Sequence, residues 1–136
     1  MTAQKKLLWV EKIKVRWGDM DAMGHVNNAA YFRYMEQARV SWLESVKIRV
    51  GASRKGPVIV SANCTFIKAI VYPATVEVSV YGGEAGRSSF PIFHEIYLED
   101  HPEVKFAEGE VTVVWIDHEL GKSVPLPEEL RTELQL

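Results

Sequence analysis

The sequence predicts an α+β fold in which one curved antiparallel sheet of five strands wraps a single long helix. Three observations point there. One amphipathic helical pattern runs from Asn27 or Asn28 to about Lys47, every long segment after it is alternating or β-branched, and the breaks between those segments are short and turn-forming. At 136 residues and 47% hydrophobic content, the chain fits one domain, 1–136, with a normal core.

From Leu7 to Trp17 the pattern alternates, with Ile13, Val15 and Trp17 against Lys12, Lys14 and Arg16, as in a half-buried strand. In the helix that follows, 100° per residue puts Asn28, Tyr31, Phe32, Met35, Ala38, Trp42, Leu43 and Val46 on one broad face. Arg33, Gln37, Val40, Ser41 and Glu44 lie opposite. At 1.5 Å per residue the helix is about five turns, near 30 Å, long. Arg39 falls inside the apolar stripe. Either it pairs with Glu36 one turn earlier and snorkels, or it makes an interface or ligand contact.

Two glycines and a proline between Gly51 and Pro57 end the helix. Strands are then expected over Val58–Ile70, Thr75–Tyr81, Ser88–Glu99 and Lys105–Asp117. Tyr72-Pro73, Gly82 to Gly86 and Asp100-His101-Pro102 supply the turns, and connections this short imply antiparallel neighbours. Strands longer than the usual five or six residues match the helix in length, so one strongly curved sheet can wrap it. Pro91 would interrupt a central ladder, which predicts a bulge or an unpaired position there. Gly121–Pro127 reads as a loop and Pro127–Leu134 as a short terminal helix.

A net charge of −2, from 16 basic and 18 acidic residues, gives no cationic field for a phosphate backbone, so nucleic acid is not an expected partner. The apolar run Leu7–Val10 is too short for a signal-peptide core, and no apolar stretch approaches the eighteen or so residues of a membrane span. The single cysteine, Cys64, has no internal disulfide partner, which suits a reducing compartment; a cytoplasmic location is the expectation.

Chemistry concentrates in Trp17-Gly-Asp-Met-Asp-Ala-Met-Gly-His-Val-Asn-Asn-Ala-Ala-Tyr31, between the first strand and the helix. The first backbone N–H groups of a helix lack intrahelical partners and carry partial positive charge, so they can hold an oxyanion or polarised carbonyl. Asp21 sits just upstream of such a site. Asp19 is expected to brace the turn, and Asn27 and Asn28 are first of all caps. His25 can line a pocket or simply pack. Asp19, Asp21 and His25 lack a second histidine at metal spacing, so no metal is expected, and without a Gly-x-Ser-x-Gly elbow a serine hydrolase is disfavoured. Cys64 reads as an inert thiol, while His94, His101 and His118 are individually uninformative.

The core Asp-x-Asp-x-x-Gly-His-Val-Asn-Asn of this stretch, followed by the amphipathic helix and four long strands, resembles the hotdog-fold acyl-CoA thioesterases of the 4-hydroxybenzoyl-CoA thioesterase type. The resemblance covers nearly the whole chain. It implies Asp21 as the catalytic carboxylate, the amides around Asn28 as the group that polarises the thioester carbonyl, and His25 in the same pocket. Asn27 and Tyr31 would line the substrate site. The run Gly86-Arg87-Ser88-Ser89 resembles, more loosely, the stretch that contacts the pantetheine and phosphates of coenzyme A. The implied substrate is an acyl-CoA or an acyl carrier protein thioester, with no cofactor and no metal. The implied assembly is a homodimer or homotetramer with the site at the dimer interface. Physical reasoning also expects an oligomer, since one sheet over one helix leaves edges and apolar surface uncovered. Two other readings stay open: a non-catalytic acyl-ligand or assembly module of the same fold, and an enoyl-CoA hydratase. An acidic side chain at position 21 favours hydrolysis, because a pure binder gains little from a carboxylate facing a thioester.

Overall fold

The computed structural model describes residues 5–135, so the first four residues and the last residue of the 1–136 span lie outside the described residues. The order is β1 (Lys6–Lys14), a short 3-10 turn (Trp17–Asp19), α1 (Asn28–Ser45), β2 (Lys55–Phe66), β3 (Thr75–Gly82), β4 (Ser89–Leu98), β5 (His101–Asp117), β6 (Lys122–Ser123) and α2 (Glu128–Leu134). The sheet runs β1-β3-β4-β5-β2, every pair antiparallel, with β6 added beside β5. Alternation puts Val76, Val78 and Val80 of β3 and Phe90, Ile92 and Ile96 of β4 on the inner face. There they meet Tyr31, Met35, Ala38 and Trp42 of α1.

The sheet has six strands where the sequence predicts five. The sixth comes out of the expected loop: Gly121, at φ +68, donates its N–H to the Asp117 carbonyl at 2.7 Å and turns Lys122–Ser123 back onto Ile116–Asp117. Inside that turn Asp117 is 2% exposed; its Oδ2 accepts from Arg54 Nε at 2.9 Å and Nη2 at 2.7 Å. Two-residue spacing is too short a signal to register as a strand. Pro91 sits in β4, an interior strand, without a bulge. Its carbonyl accepts from Gly83 N–H at 3.0 Å, toward β3, and an antiparallel residue points both backbone groups the same way. The absent N–H therefore faces the place where β3 pairing ends, at Gly82↔Ile92, and the Pro91↔Thr112 match to β5 is undisturbed. β2 starts three residues earlier than expected, at Lys55, and includes Pro57, which an edge strand tolerates; it ends at Phe66, four residues short of the expected Ile70.

Of the face expected on α1, Tyr31, Met35, Ala38, Trp42 and Leu43 are buried, Val46 is half-buried, and Asn28 and Phe32 are exposed, Phe32 at 36%. Tyr34, outside that face, is buried as well, because its hydroxyl donates to Asp19 Oδ2 at 2.8 Å. Burial, then that carboxylate, push the Tyr34 hydroxyl well above the usual tyrosine range. Arg39 makes no ion pair among the described residues: Glu36 faces Arg33 at 3.7 Å, and the Arg39 guanidinium reaches inward to His94 Nε2 at 3.4 Å. His94, on β4, is 1% exposed, and its Nδ1 lies 3.2 Å from the Gly109 carbonyl, an acceptor, so Nδ1 carries the proton. Cys64 faces partly inward from β2, where burial and Glu108 raise its thiol to about 11, matching the inert reading.

His94 makes the fold acid-sensitive in a calculable way. Burial first, and the Arg39 cation second, push its imidazole down to about 3, against the pull of the Gly109 carbonyl. From pH 6.5 down to about 3 the unfolded chain binds a proton that the folded chain refuses. Stability from this residue is complete above pH 6.5 and declines as the pH falls, by about 2 kcal/mol at pH 5. Urea midpoints at pH 7.5 and pH 5 should differ accordingly, and His94→Gln, which cannot titrate, should remove this part of the difference.

Candidate active site

The segment between the 3-10 turn and α1 is a tight loop closed by its own hydrogen bonds. Met20 and Val26 form an isolated antiparallel bridge, Asp21 N–H donates to the His25 carbonyl at 2.8 Å, and Gly24 N–H donates to the Asp21 carbonyl at 3.0 Å. Gly24 closes the loop at φ +80, a conformation that favours glycine. Two anchors hold the loop to the fold. Val26, 2% exposed, donates its N–H to the Ile70 carbonyl at 2.8 Å, while Asp19 accepts from Arg16 N–H at 2.9 Å as well as from Tyr34. Asp19 is thus the brace that the turn chemistry predicts.

Asp21 is exposed and belongs to no ion pair among the described residues. One carboxylate oxygen, Oδ1, accepts from the N–H groups of Met23 at 2.9 Å and His25 at 3.4 Å, which fixes the side chain over its own turn. The other oxygen, Oδ2, has no hydrogen-bond partner among the described residues. Asp21 borders a cavity of about 200 Å³ that it lines together with His25, Asn28, Tyr31, Phe66 and Lys68, with Val26, Ile67 and Ala69.

Asn27 caps the helix. Its Oδ1 accepts from Ala29 N–H at 2.9 Å, and its carbonyl accepts from Ala30 N–H at 2.8 Å. Asn28 N–H, the first of the helix, is left without an acceptor among the described residues, and its residue lines the cavity. A residue with a free carboxylate oxygen and one with an unspent helix-terminal amide therefore line one space. Tyr31 forms its inner wall, stacked edge-on against Phe66 with ring centroids 4.9 Å apart. Burial raises the Tyr31 hydroxyl above its ordinary value, so it stays protonated as a hydrogen-bonding wall.

Of the residues expected at the site, Asp21, His25, Asn28 and Tyr31 come together. Asn27 stands behind them as the cap. Arg87, Ser88 and Ser89 do not join them within one chain. Ser89 pairs with Val114, level with Val58 on β2, whereas Phe66 is level with Ala107 and Ile96. From Ser89 to Ile96 the strand covers roughly 23 Å. In its own chain this segment instead holds α2, through its Arg87 and Gly86 carbonyls, which accept from Arg131 Nη2 at 2.8 and 2.9 Å. Sequence reasoning missed Phe66–Ala69, including the Lys68 cation. Their only sequence signal is the end of β2, and their place beside Asp21 comes from the Val26–Ile70 hydrogen bond.

Gly24→Ala tests how tightly the loop sets Asp21. Nothing stands within 4 Å of the added Cβ, so the cost is purely conformational, about 1 kcal/mol or slightly more. Urea denaturation should show that small loss, while a loop relieved toward negative φ would displace Asp21 and cost turnover well beyond it, by tenfold or more.

Residues 15–134 match the family model of the thioesterase-like superfamily. The fold superposes on the PA2801 protein of Pseudomonas aeruginosa with a TM-score of 0.93 and 40% identity, over 96% of this chain and 100% of that one. By sequence it is similar to the long-chain acyl-CoA thioesterase FadM of Escherichia coli, 29% identical over 91% of this chain and 95% of FadM. The fold also matches Slr0204, a 1,4-dihydroxy-2-naphthoyl-CoA thioesterase of Synechocystis, with a TM-score of 0.85 at 20% identity over 93% of this chain and 94% of that one, a likeness of fold alone. A loop that ends in a free carboxylate beside a capped helix start, on a hotdog sheet, thus has a family: the chain belongs to the thioesterase-like superfamily.

Proposed function

We propose that the protein hydrolyses acyl-CoA thioesters to free acid and thiol, in the manner of the 4-hydroxybenzoyl-CoA thioesterase type. One observation carries this reading: Asp21, whose Oδ2 has no partner among the described residues, and Asn28, whose N–H has none, line the same cavity. Hydrolysis needs those two parts and no other. The thioester carbonyl oxygen lies against Asn28 N–H and the positive end of α1, where charge developing on it is stabilised; one such donor is worth about 3 to 4 kcal/mol. Asp21 takes a proton from water as the water oxygen bonds to the acyl carbon, or attacks that carbon itself to give an anhydride that water then opens. The C–S bond breaks, and the thiolate leaves to take up a proton. His25 and Tyr31 wall the acyl end, and Lys68 brings a cation to the rim.

The coenzyme end calls for a second copy. Antiparallel pairing of two β2 edges about the middle of the strand sets the Phe66 end of one chain beside the Val58 end of the other, which is level with the partner's Ser89. A homodimer of this kind, alone or doubled into a tetramer, brings Arg87, Ser88 and Ser89 to a site they cannot reach in their own chain. The two sheet edges support this asymmetry. β1 carries Lys6, Lys12 and Lys14, a protected edge, whereas β2 has no charged residue after Lys55. No helix among the described residues is long and apolar enough to cross a membrane. With its single cysteine, the chain fits work in the cytoplasm.

Colorimetric thiol release from short, medium, long and aromatic acyl-CoA and from acyl carrier protein thioesters tests the proposal. Turnover on at least one class is expected. Binding without thiol release would make the protein an acyl-ligand module, and water added to an enoyl-CoA without thiol release would make it a hydratase.

A further inference from the structure

We infer that Arg131, on the C-terminal helix α2, is a positioning residue for the coenzyme end of the substrate. It holds two peptide planes of the turn 86–89 so that the Arg87 and Ser88 N–H groups face a phosphate. The inference rests on the acyl-CoA reading above and names what shapes that end of the site. Arg131 is the anomaly that calls for it. Its guanidinium is in no ion pair among the described residues, although Glu128 stands one turn before it on the same helix. It turns instead to two neutral acceptors on another element: Nη2 donates to the Gly86 carbonyl at 2.9 Å and to the Arg87 carbonyl at 2.8 Å. The helix that carries it is anchored by Leu130 and Leu134, both buried in the core.

What Arg131 does to the turn follows from the planarity of the peptide bond. In a trans peptide the carbonyl and the next residue's N–H point in opposite directions, and the peptides of this turn are trans. Drawing the Gly86 and Arg87 carbonyls toward α2 therefore turns the Arg87 and Ser88 N–H groups away from it. The neighbouring backbone completes the pattern. Leu126 N–H gives the Arg87 carbonyl a second donor at 3.0 Å, Trp115 N–H holds the Ser88 carbonyl at 2.7 Å, and Gly86 N–H holds the Ser89 carbonyl at 2.7 Å. All four carbonyls are thus occupied, while the Arg87 and Ser88 N–H groups have no acceptor among the described residues. For Ser88 the cause is visible: continued pairing would return its N–H to the Trp115 carbonyl, but Val124 N–H holds that carbonyl at 2.9 Å. Successive amides whose carbonyls are withdrawn attract an anion. The Arg87 guanidinium, in no ion pair among the described residues, and the Ser88 and Ser89 hydroxyls belong to the same turn. The group this donor set fits is a phosphate of the coenzyme's nucleotide end.

Arg131→Met keeps the stem of the side chain and removes its donors. In the folded variant, checked by circular dichroism, KM for an acyl-CoA should rise about tenfold while kcat stays within about twofold. The Kd of free coenzyme A, by titration calorimetry, should rise by about the same factor. The same acyl group on N-acetylcysteamine, a thioester without phosphates, should be hydrolysed equally by wild type and variant. Arg131→Lys, whose ammonium can donate to the same two carbonyls, should recover most of the lost affinity. Should Arg131→Met fold poorly, Arg131→Gln, too short to reach both carbonyls, carries the same expectations. An unchanged Kd for coenzyme A, a lysine variant no better than methionine, or an equal loss on the N-acetylcysteamine thioester would each overturn the inference; the last is what a loosened α2 alone would give. If wild type cleaves no thioester of any class, the thioesterase reading fails, while weakened coenzyme A binding in Arg131→Met would leave the placing of Arg131 standing.

Discussion

Asp21→Asn should leave the fold and its melting temperature unchanged while kcat on the best acyl-CoA falls by about 10³-fold, within the range a positioned acid-base group supplies. Both halves of that expectation come from how the residue is held. Oδ1 is tied to the Met23 and His25 N–H groups, and an asparagine carbonyl oxygen can accept the same two bonds, so the loop keeps its shape. Oδ2 is the free oxygen of a residue that lines the cavity, and the substitution puts an NH2 in its place, which neither takes a proton from water nor attacks a carbonyl carbon. Because the helix amide that steadies the oxyanion is untouched, KM should change little, and the loss should appear in kcat. A variant that kept a tenth of wild-type turnover would move the chemistry off Asp21.

The largest stability loss is expected at Gly109→Ala, far from the chemistry. A Cβ there would stand 2.7 Å from the Asn63 carbonyl oxygen on β2 and 2.7 Å from Met35 Sδ on α1. Methionine can yield, but a backbone carbonyl in a paired strand cannot without disturbing the ladder. The same residue gives its own carbonyl to His94 Nδ1, so a shift of β5 also loosens the one buried imidazole. Overpacking of this kind costs about 2 to 3 kcal/mol, a fall in Tm on the order of 10 °C. Since Met35 carries α1 down onto the sheet at this point, activity measured well below Tm should drop too, through a displaced helix start and not through lost chemistry.

The two cases also mark how far the residues speak for themselves. The Asp21 loop is legible because its signals are local: a glycine where φ turns positive, an asparagine cap, an acid two positions past another acid. The β3 alternation and the extent of the central helix are legible for the same reason. Gly109 is not, because its constraint comes from Asn63 and Met35, 46 and 74 positions away in sequence, brought together by register. His94 reads as one of several scattered histidines until β4 pairing turns it inward. Arg87 to Ser89 stand out in the chain as a basic residue with two hydroxyls, yet the fold sends that segment to the opposite end of the sheet. Pro91 looks like a defect only while the end of β3 is unknown.

The choice of cap on α1 has a last consequence. Asn27 satisfies two amides with uncharged oxygens, so the electric field at the start of the helix is left undischarged. An aspartate would cap as well and would already occupy that field with its own negative charge. The neutral amide keeps the pole vacant until a substrate brings the charge itself, so the attraction is saved for the moment when the carbonyl becomes an alkoxide.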